Sequence, residues 1–252
     1  MERIGERLIF YYVPGTDIAI PLGGVNVLTV FNTLVVMAVL LGLSRWAVRR
    51  FALVPGRAQY AMELFVHAFD GLVTSSLELE TRAANRRFLM LIASLFLFIV
   101  MSNFMGFLPT HYLEEPTADI NCTLGLGIMA MTIATYCGMK VKGVWGYTEE
   151  LFGPLFAQED AKGGAKIAGK LSGLFFFPLN VIGELAKVVS ISFRLFGNIT
   201  GGAIIIIVVS HLVWKFSWLS IGLDGFFIFF VGIVQAFVFT MLTLTYIAVA
   251  IK

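Results

Sequence analysis

The sequence has 252 residues, of which 58% are apolar and 13% are charged, and its mean hydropathy is +0.88. This balance excludes a water-soluble globular domain and indicates a membrane protein. The 18 basic and 16 acidic side chains leave a net charge of +2, which is too small and too scattered for a nucleic-acid-binding surface.

The N-terminal segment carries mixed charge and lacks the uninterrupted apolar core of a cleaved signal peptide. We therefore expect the first membrane span itself to deliver the chain to the membrane. Between Asp17 and Arg45 lie 27 uncharged residues. Because about 20 apolar residues cross the hydrocarbon layer, the first span is predicted at residues 25–44.

Residues 58–80 differ from a membrane span because their polar and apolar side chains lie on separate faces of a helix. The apolar face comprises Met62, Phe65, Val66, Phe69, Leu72 and Val73, and the polar face comprises Gln59, Glu63, His67 and Asp70. Arginines flank both ends of this region. The pattern therefore predicts an amphipathic helix in the cytoplasmic membrane interface that does not cross the membrane.

Two further spans are predicted at residues 88–110 and 119–139, where the chain is again free of charge. The mixed-charge, glycine-containing segment 140–170 is predicted to be a cytoplasmic loop. Cys122 and Cys137 lie in one apolar run, about 22 Å apart along a helix, so they cannot form a disulfide with each other. No metal-ligand spacing is present, and no metal or cofactor is expected.

The basic residues predict the orientation of the chain. Most of them lie in two connecting regions: Arg45, Arg49, Arg50, Arg57, Arg82, Arg86 and Arg87 in the first, and Lys140, Lys142, Lys162, Lys166 and Lys170 in the second. By the positive-inside rule these regions are cytoplasmic. The N-terminus and residues 111–119 are then outside, and the C-terminus is in the cytoplasm.

Residues 171–213 are apolar but contain charged side chains. Four polar groups share an arc of about 80° on a helix: Glu184, Lys187, Arg194 and Asn198. Glu184 and Lys187 are spaced for a local ion pair, which would give them a structural role, and the alternative is that both belong to an ion-translocation path. Arg194 lies about 15 Å from Glu184 along a helix and has no acidic neighbour in its own segment. It predicts a functional site whose partner belongs to another helix or subunit.

This region is too long for one upright span, because about 40 helical residues cover about 60 Å. It either breaks into a re-entrant pair or tilts steeply.

The final span, residues 224–251, also has a polar face. Asp224, Gln235 and Tyr246 recur every 11 residues and share one side of a helix, either as a functional stripe or as polar contacts between helices. The small residues Gly197, Gly201 and Gly202 permit close approach of a neighbouring helix.

Two segments carry a specific resemblance: PLNVIGELAKVVSISFRLFGNITGG (178–202) and QAFVFTMLTLTYIAVA (235–250). SNFMGFLP (102–109) and PTADINCTLGLG (116–127) extend it upstream. The sequence strongly resembles subunit a of the F-type rotary ATP synthase, of a bacterial type. The resemblance implies a stator subunit beside a ring of c subunits, with peripheral-stalk b subunits, other ATP synthase subunits and membrane lipids as partners in the bacterial inner membrane.

The fold class expected from these features is an all-α polytopic membrane protein with about five membrane-embedded helices and one interfacial helix. The resemblance further implies that the last two, residues 171–213 and 224–251, are long, steeply tilted and face the ring. It implies that Arg194 is the essential arginine that attracts each ring carboxylate and stops ions from passing straight between two half-channels. Gln235 matches the glutamine opposite the arginine, and Asn198 and Lys187 match polar positions near the interface.

The sequence departs from the family pattern at two positions. Ala203 and Ile228 stand where relatives commonly carry the acid and base of the outer channel. We hypothesise that Asp224, with His211 or Asp119, replaces them. The departures also leave open whether H⁺ or Na⁺ is the coupling ion.

Two other functions are alternatives to a rotary stator. A secondary transporter would use Glu184, Lys187 and Arg194 as a substrate site, and it would favour internal repeats, which the sequence lacks. An intramembrane enzyme acting on lipid would need a catalytic spacing among His67, His111 and His211, and none is recognised. The chain has no P-loop, so ATP chemistry belongs to partner subunits.

Overall fold

The computed structural model describes residues 9–10, 25–48, 56–77, 82–107, 115–152, 164–212, 222–223 and 225–251. Two strands of two residues each, Ile9–Phe10 and Val25–Asn26, pair in antiparallel orientation. The long elements in these ranges are all helices. They are α1 (Val27–Val48), α2 (Arg57–Leu77), α3 (Arg82–Phe104), α4 (Ile120–Phe152), α5 (Gly164–Leu212) and α6 (Gly232–Ile251). Two single 3₁₀ turns, Met105–Phe107 and Pro116–Ala118, and a π-helical segment, Phe226–Val231, complete the architecture.

Five helices are long and apolar enough to cross a membrane. They are α1, α3, α4, α5 and α6, the last together with the π-helical segment that precedes it. The prediction of an all-α polytopic membrane protein is confirmed. The apolar stretch of α5 has 37 residues, and at about 1.5 Å per residue it is too long to fit upright in a hydrocarbon core of about 30 Å.

Helix α2 lies outside this set and packs one face against the bundle. Phe69, Val73 and Leu77 are buried in a cluster to which α3 and α6 contribute. The Phe69 and Phe96 rings have centroids 5.1 Å apart. Met62, which the sequence pattern also assigns to the apolar face, is 40% exposed. The buried stripe is therefore narrower than the apolar arc.

Helix α4 continues beyond the span predicted from the sequence and changes direction at Gly143. This residue has φ 76° and ψ 161°, a backbone conformation that only glycine adopts without strain. The helix resumes and ends at Phe152. Trp145, just past the bend, is 85% exposed.

A second buried cluster holds α5 against its neighbours. Leu95 and Ile99 of α3, Ile191 and Leu195 of α5, and Phe239 of α6 meet in it. Because Ile191 and Leu195 lie on either side of Arg194 in sequence and are both buried, they fix the rotation of α5 about its axis.

Helices α4 and α5 approach closely at Gly127. A Cβ atom at this position would overlap the Ser192 hydroxyl and would lie 3.3 Å from both the Val188 carbonyl oxygen and the Ile191 Cγ2. The backbone oxygen cannot move aside without shifting α5. Glycine is therefore required here by packing.

We expect Gly127→Val to lower the free energy of unfolding by about 1–3 kcal/mol, as overpacking of a tight contact does. Gly125→Val is the matched control, because it makes the same change in the same helix where no atom lies within 4 Å of the added Cβ. The measurement is unfolding of the purified protein by titration with SDS. Equal unfolding curves for the two variants would contradict the packing assigned to Gly127.

Candidate functional site

The site is built on the antiparallel pair α5 and α6. Asn198 Nδ2 donates a hydrogen bond of 2.6 Å to Gln235 Oε1, and Lys187 Nζ lies 5.8 Å from the centroid of the Tyr246 ring. The two contacts are 11 residues apart on each helix, which corresponds to about 16 Å along the axis. The polar stripes of the two helices therefore face each other.

Glu184 and Lys187 form an ion pair within α5. Lys187 Nζ lies 2.6 Å from Glu184 Oε1, and the two side chains are 38% and 30% exposed for Lys187 and Glu184 respectively. The other carboxylate oxygen, Oε2, is buried and has no hydrogen-bond partner among the described residues. The spacing of three residues brings the two side chains together on the helix, as predicted from the sequence.

Arg194 lies between the two polar contacts and points away from the core. Its side chain is exposed, whereas Ile191 and Leu195 beside it are buried. Within the described ranges it forms no ion pair. An arginine cannot give up its proton in a protein, so this position carries a permanent positive charge at the surface of the helix bundle.

The surface beside Arg194 is apolar. On α5, exposed apolar side chains recur every four residues from Leu185 through Val189 to Phe193, and again from Ile204 to Val208. On α6 and the π-helical segment, Phe230, Val234 and Phe237 are exposed in the same way. We call these eight residues the α5–α6 face.

A first cavity, cavity A, begins one helical turn beyond Arg194 and has a volume of about 280 Å³. Asn198 and Gln235 lie at one part of its wall, and Asn103, Gly106 and Glu115 at another. Ala203 and Ile228 also line it. The two departures from the family pattern therefore fall in one cavity.

A second cavity, cavity B, lies on the other side of Arg194 along α5 and has a volume of about 340 Å³. Its polar lining groups are Asn180, Glu184 and Lys187 from α5, Tyr246 from α6 and Tyr147 from α4. Lys187 is seven residues before Arg194, about 10 Å along the helix. Arg194 thus separates two polar cavities.

The other predicted site residues lie elsewhere. Asp119 Oδ2 accepts a hydrogen bond of 2.9 Å from the Thr29 hydroxyl, and its Oδ1 accepts one of 2.9 Å from the Asn121 backbone N–H at the start of α4. Nδ1 of the exposed His211 is 2.9 Å from the Ile207 carbonyl oxygen. Neither Asp119 nor His211 is among the described residues that line the two cavities. Asp224 lies outside the described residues.

The glycines near Arg194 differ in what surrounds them. Gly197 and Gly201 have no atom within 4 Å of an added Cβ, whereas a Cβ at Gly202 would lie 2.9 Å from the Phe227 ring. Close packing inside the chain therefore depends on Gly202 alone of the three. The Gly197 and Gly201 positions leave open space beside Arg194.

Sequence reasoning missed Glu115 and Asn103. Both lie near the connection between α3 and α4, where no periodic pattern indicates which side chains turn inward. The one available signal was the high proportion of acidic residues between positions 111 and 119. In the described part of the chain, no three His, Cys, Asp or Glu side chains cluster as metal ligands.

Comparisons with known proteins all point to one family. A family model described as "ATP synthase A chain" matches residues 30–248. The chain is 34% identical to ATP synthase subunit a of Moorella thermoacetica over 87% of its own length and 88% of the relative. It is 33% identical to the subunit a of Aliarcobacter butzleri over 84% of each chain. It is also 31% identical to "ATP synthase subunit a, sodium ion specific" of Propionigenium modestum, over 87% of this chain and 72% of the relative.

Proposed function

Because the chain belongs to the ATP synthase A chain family, we propose that it is the stationary membrane subunit that divides an ion path into two halves on either side of Arg194. It works with other subunits of the synthase, and the partner that closes the path is a rotating ring of small subunits bearing membrane-embedded carboxylates. Peripheral-stalk b subunits hold it still.

The observation that carries this proposal is the position of Arg194 between cavity A and cavity B. Arg194 is exposed and has no acidic partner in the described residues, and the exposed side chains of the α5–α6 face on the same two helices are apolar. A permanent charge in such a setting needs a counter-ion from outside the chain. A carboxylate on a neighbouring ring helix supplies one.

The mechanism follows from this charge. An ion enters cavity A, binds a ring carboxylate and neutralises it, so that this carboxylate leaves Arg194 and moves into the lipid. A carboxylate that has completed the circuit releases its ion into cavity B and becomes negative again, which attracts it to Arg194. Because the arginine repels cations, the ion cannot pass directly from one cavity to the other. Rotation and ion flow are thereby coupled.

The distribution of basic residues supports an orientation. Lys140 and Lys142 lie on α4 between Ala134 and Tyr147, which both line cavity B, whereas Gly106 and Glu115 beside cavity A belong to the acidic connection between α3 and α4. By the positive-inside rule, cavity B opens to the cytoplasm and cavity A to the outside. We propose that the membrane is the bacterial inner membrane, with the N-terminus outside and the C-terminus in the cytoplasm.

We propose that the coupling ion is a proton. The choice of ion needs a test, because the Propionigenium modestum relative is described as sodium ion specific. ATP synthesis driven by an imposed pH gradient and voltage in sodium-free buffer is expected to proceed at the full rate. A requirement for sodium would contradict the choice of ion without affecting the role of Arg194.

The experiment that tests the proposed partner is cysteine cross-linking. In a background in which Cys122 and Cys137 are replaced by alanine, we expect Phe193→Cys and Phe237→Cys, both on the α5–α6 face, to cross-link to ring subunits. Met90→Cys is the control, because Met90 is 65% exposed but belongs to α3 and not to this face. A chain that purifies without a ring and forms no such cross-link would favour a transporter.

A further inference from the structure

We propose that Glu115 is the proton-exchanging carboxylate of cavity A, the group through which protons from outside reach the ring. The inference rests on the proposed function and gives it a specific residue. Among the described residues that line cavity A, Glu115 is the only ionisable one. The cavity needs such a group, because Ala203 and Ile228 in its wall cannot carry a proton.

The absence of a side chain at Gly106 creates the place that Glu115 fills. A Cβ atom at Gly106 would overlap the Glu115 carboxylate, and it would lie 2.5 Å from the carboxyl carbon. The carboxylate therefore lies against the backbone at the end of α3, at the wall of cavity A. Any residue larger than glycine at position 106 would displace it.

Hydrogen bonds fix the turn from which Glu115 extends. The Thr117 hydroxyl donates a hydrogen bond of 2.8 Å to Asn103 Oδ1, and Asn103 Nδ2 donates one of 3.0 Å to the Gly232 carbonyl oxygen. Asn103 and Thr117 are both buried. The Ala118 backbone N–H donates to the Glu115 carbonyl oxygen at 3.0 Å. Glu115 is thus tied to α3 and to the start of α6.

Gln235 provides the next polar group along the cavity. Its Oε1 accepts the hydrogen bond from Asn198, but its Nε2 is buried and has no hydrogen-bond partner among the described residues. The Gln235 residue as a whole is 4% exposed, and it lines cavity A. A buried donor without a partner is costly unless water or an acceptor reaches it. Its position points to water in the cavity between Glu115 and the ring-facing side of α5.

The step itself is a series of three proton transfers. The Glu115 carboxylate takes a proton from hydronium on the outer side and leaves water. Its O–H then gives the proton to water in cavity A, which passes it to an ionised ring carboxylate, and Glu115 returns to its charged form. Each transfer breaks one O–H bond and forms another, so that no other reactant is consumed.

The test compares ATP synthesis in proteoliposomes that contain the whole complex. We expect Glu115→Gln to slow synthesis about 100-fold, the usual effect of removing a proton-transferring side chain. Glu115→Asp should recover part of the rate and change its dependence on outer pH, which a merely structural role would not do. Gly106→Ala should slow synthesis although Glu115 is intact. Glu63→Gln on the exposed face of α2 is the matched control and should run at the wild-type rate.

Arg194→Ala, measured in parallel, distinguishes a failure of the Glu115 assignment from a failure of the proposed function. If Arg194→Ala is inactive while Glu115→Gln runs near the wild-type rate, the assignment of Glu115 is overturned and the proposed function stands. If both run normally, the proposed function fails. Should Glu115→Gln not assemble, Glu115→Cys provides the second measurement. A membrane-impermeant thiol reagent should label it from the outside only and block proton flux, and labelling only from the cytoplasmic side would overturn the assignment.

Discussion

Arg194→Ala is expected to abolish ATP synthesis while the complex, including its ring, remains assembled. The exposed guanidinium is the only charge on α5 between the Glu184–Lys187 pair and the end of the helix at Leu212. At an effective dielectric constant of about 20, opposite charges about 4 Å apart attract by about 4 kcal/mol. Since about 1.4 kcal/mol corresponds to a tenfold change in equilibrium, loss of the arginine would lower the ratio of ionised to protonated carboxylate on the proposed ring helix about 1000-fold.

Two further variants show whether the effect depends on the charge. Arg194→Lys keeps a positive charge but loses the planar guanidinium and can release its proton in a desolvated site. We expect it to retain a small part of the activity. Phe193→Ala, at the adjacent exposed position, is the control for disturbance of the α5–α6 face, and this variant should keep most of the synthesis activity. Normal synthesis in an assembled Arg194→Ala complex would make the arginine a structural residue.

Gly183→Phe is expected to cause a large loss of proton flux, because the new phenyl side chain would obstruct cavity B. Gly183 lines this cavity, and no atom lies within 4 Å of an added Cβ. The phenyl group would therefore fit without displacing the backbone while it fills the proposed half-channel on the cytoplasmic side. We expect passive proton flux through the membrane sector to fall at least about tenfold, which corresponds to a barrier of about 1.4 kcal/mol.

Gly125→Phe provides the matched control for this experiment. Gly125 lies on a helix, is exposed, and also has no atom within 4 Å of an added Cβ, but it lines neither cavity. Flux is measured with a pH-sensitive dye in proteoliposomes after removal of the catalytic head, and ring content is measured in the same samples. An equal loss of flux in the two variants, or no loss in Gly183→Phe, would argue against cavity B as a half-channel.

The sequence was sufficient to predict the helical membrane fold, because charge-free runs of the right length have few alternatives in a membrane. It also predicted the polar stripes of the last two helices. Gln235 and Tyr246 do share the side of α6 that faces α5. Periodicity works here because both helices are regular over the stretch concerned.

The sequence could not predict the contents of the cavities. Glu115 reaches cavity A from a turn between helices, and its position depends on Gly106, nine residues earlier, having no side chain. Such a relation is set by tertiary packing and leaves no periodic pattern. The involvement of Asp119 and His211 in the outer path stays a prediction. In the structure Asp119 caps α4 through the Asn121 backbone N–H, and it also accepts a hydrogen bond from the Thr29 hydroxyl of α1.

The most direct test of the account is proton flux through the membrane sector when the ring is reversibly locked. A disulfide between Phe193→Cys and a cysteine introduced in the outer helix of a ring subunit provides the lock, with Cys122 and Cys137 replaced. If cavity A and cavity B connect only through the moving ring, oxidation abolishes passive flux and reduction restores it. Flux that continues unchanged in the locked state would mean that protons cross within this chain alone, and it would contradict the division of the path at Arg194.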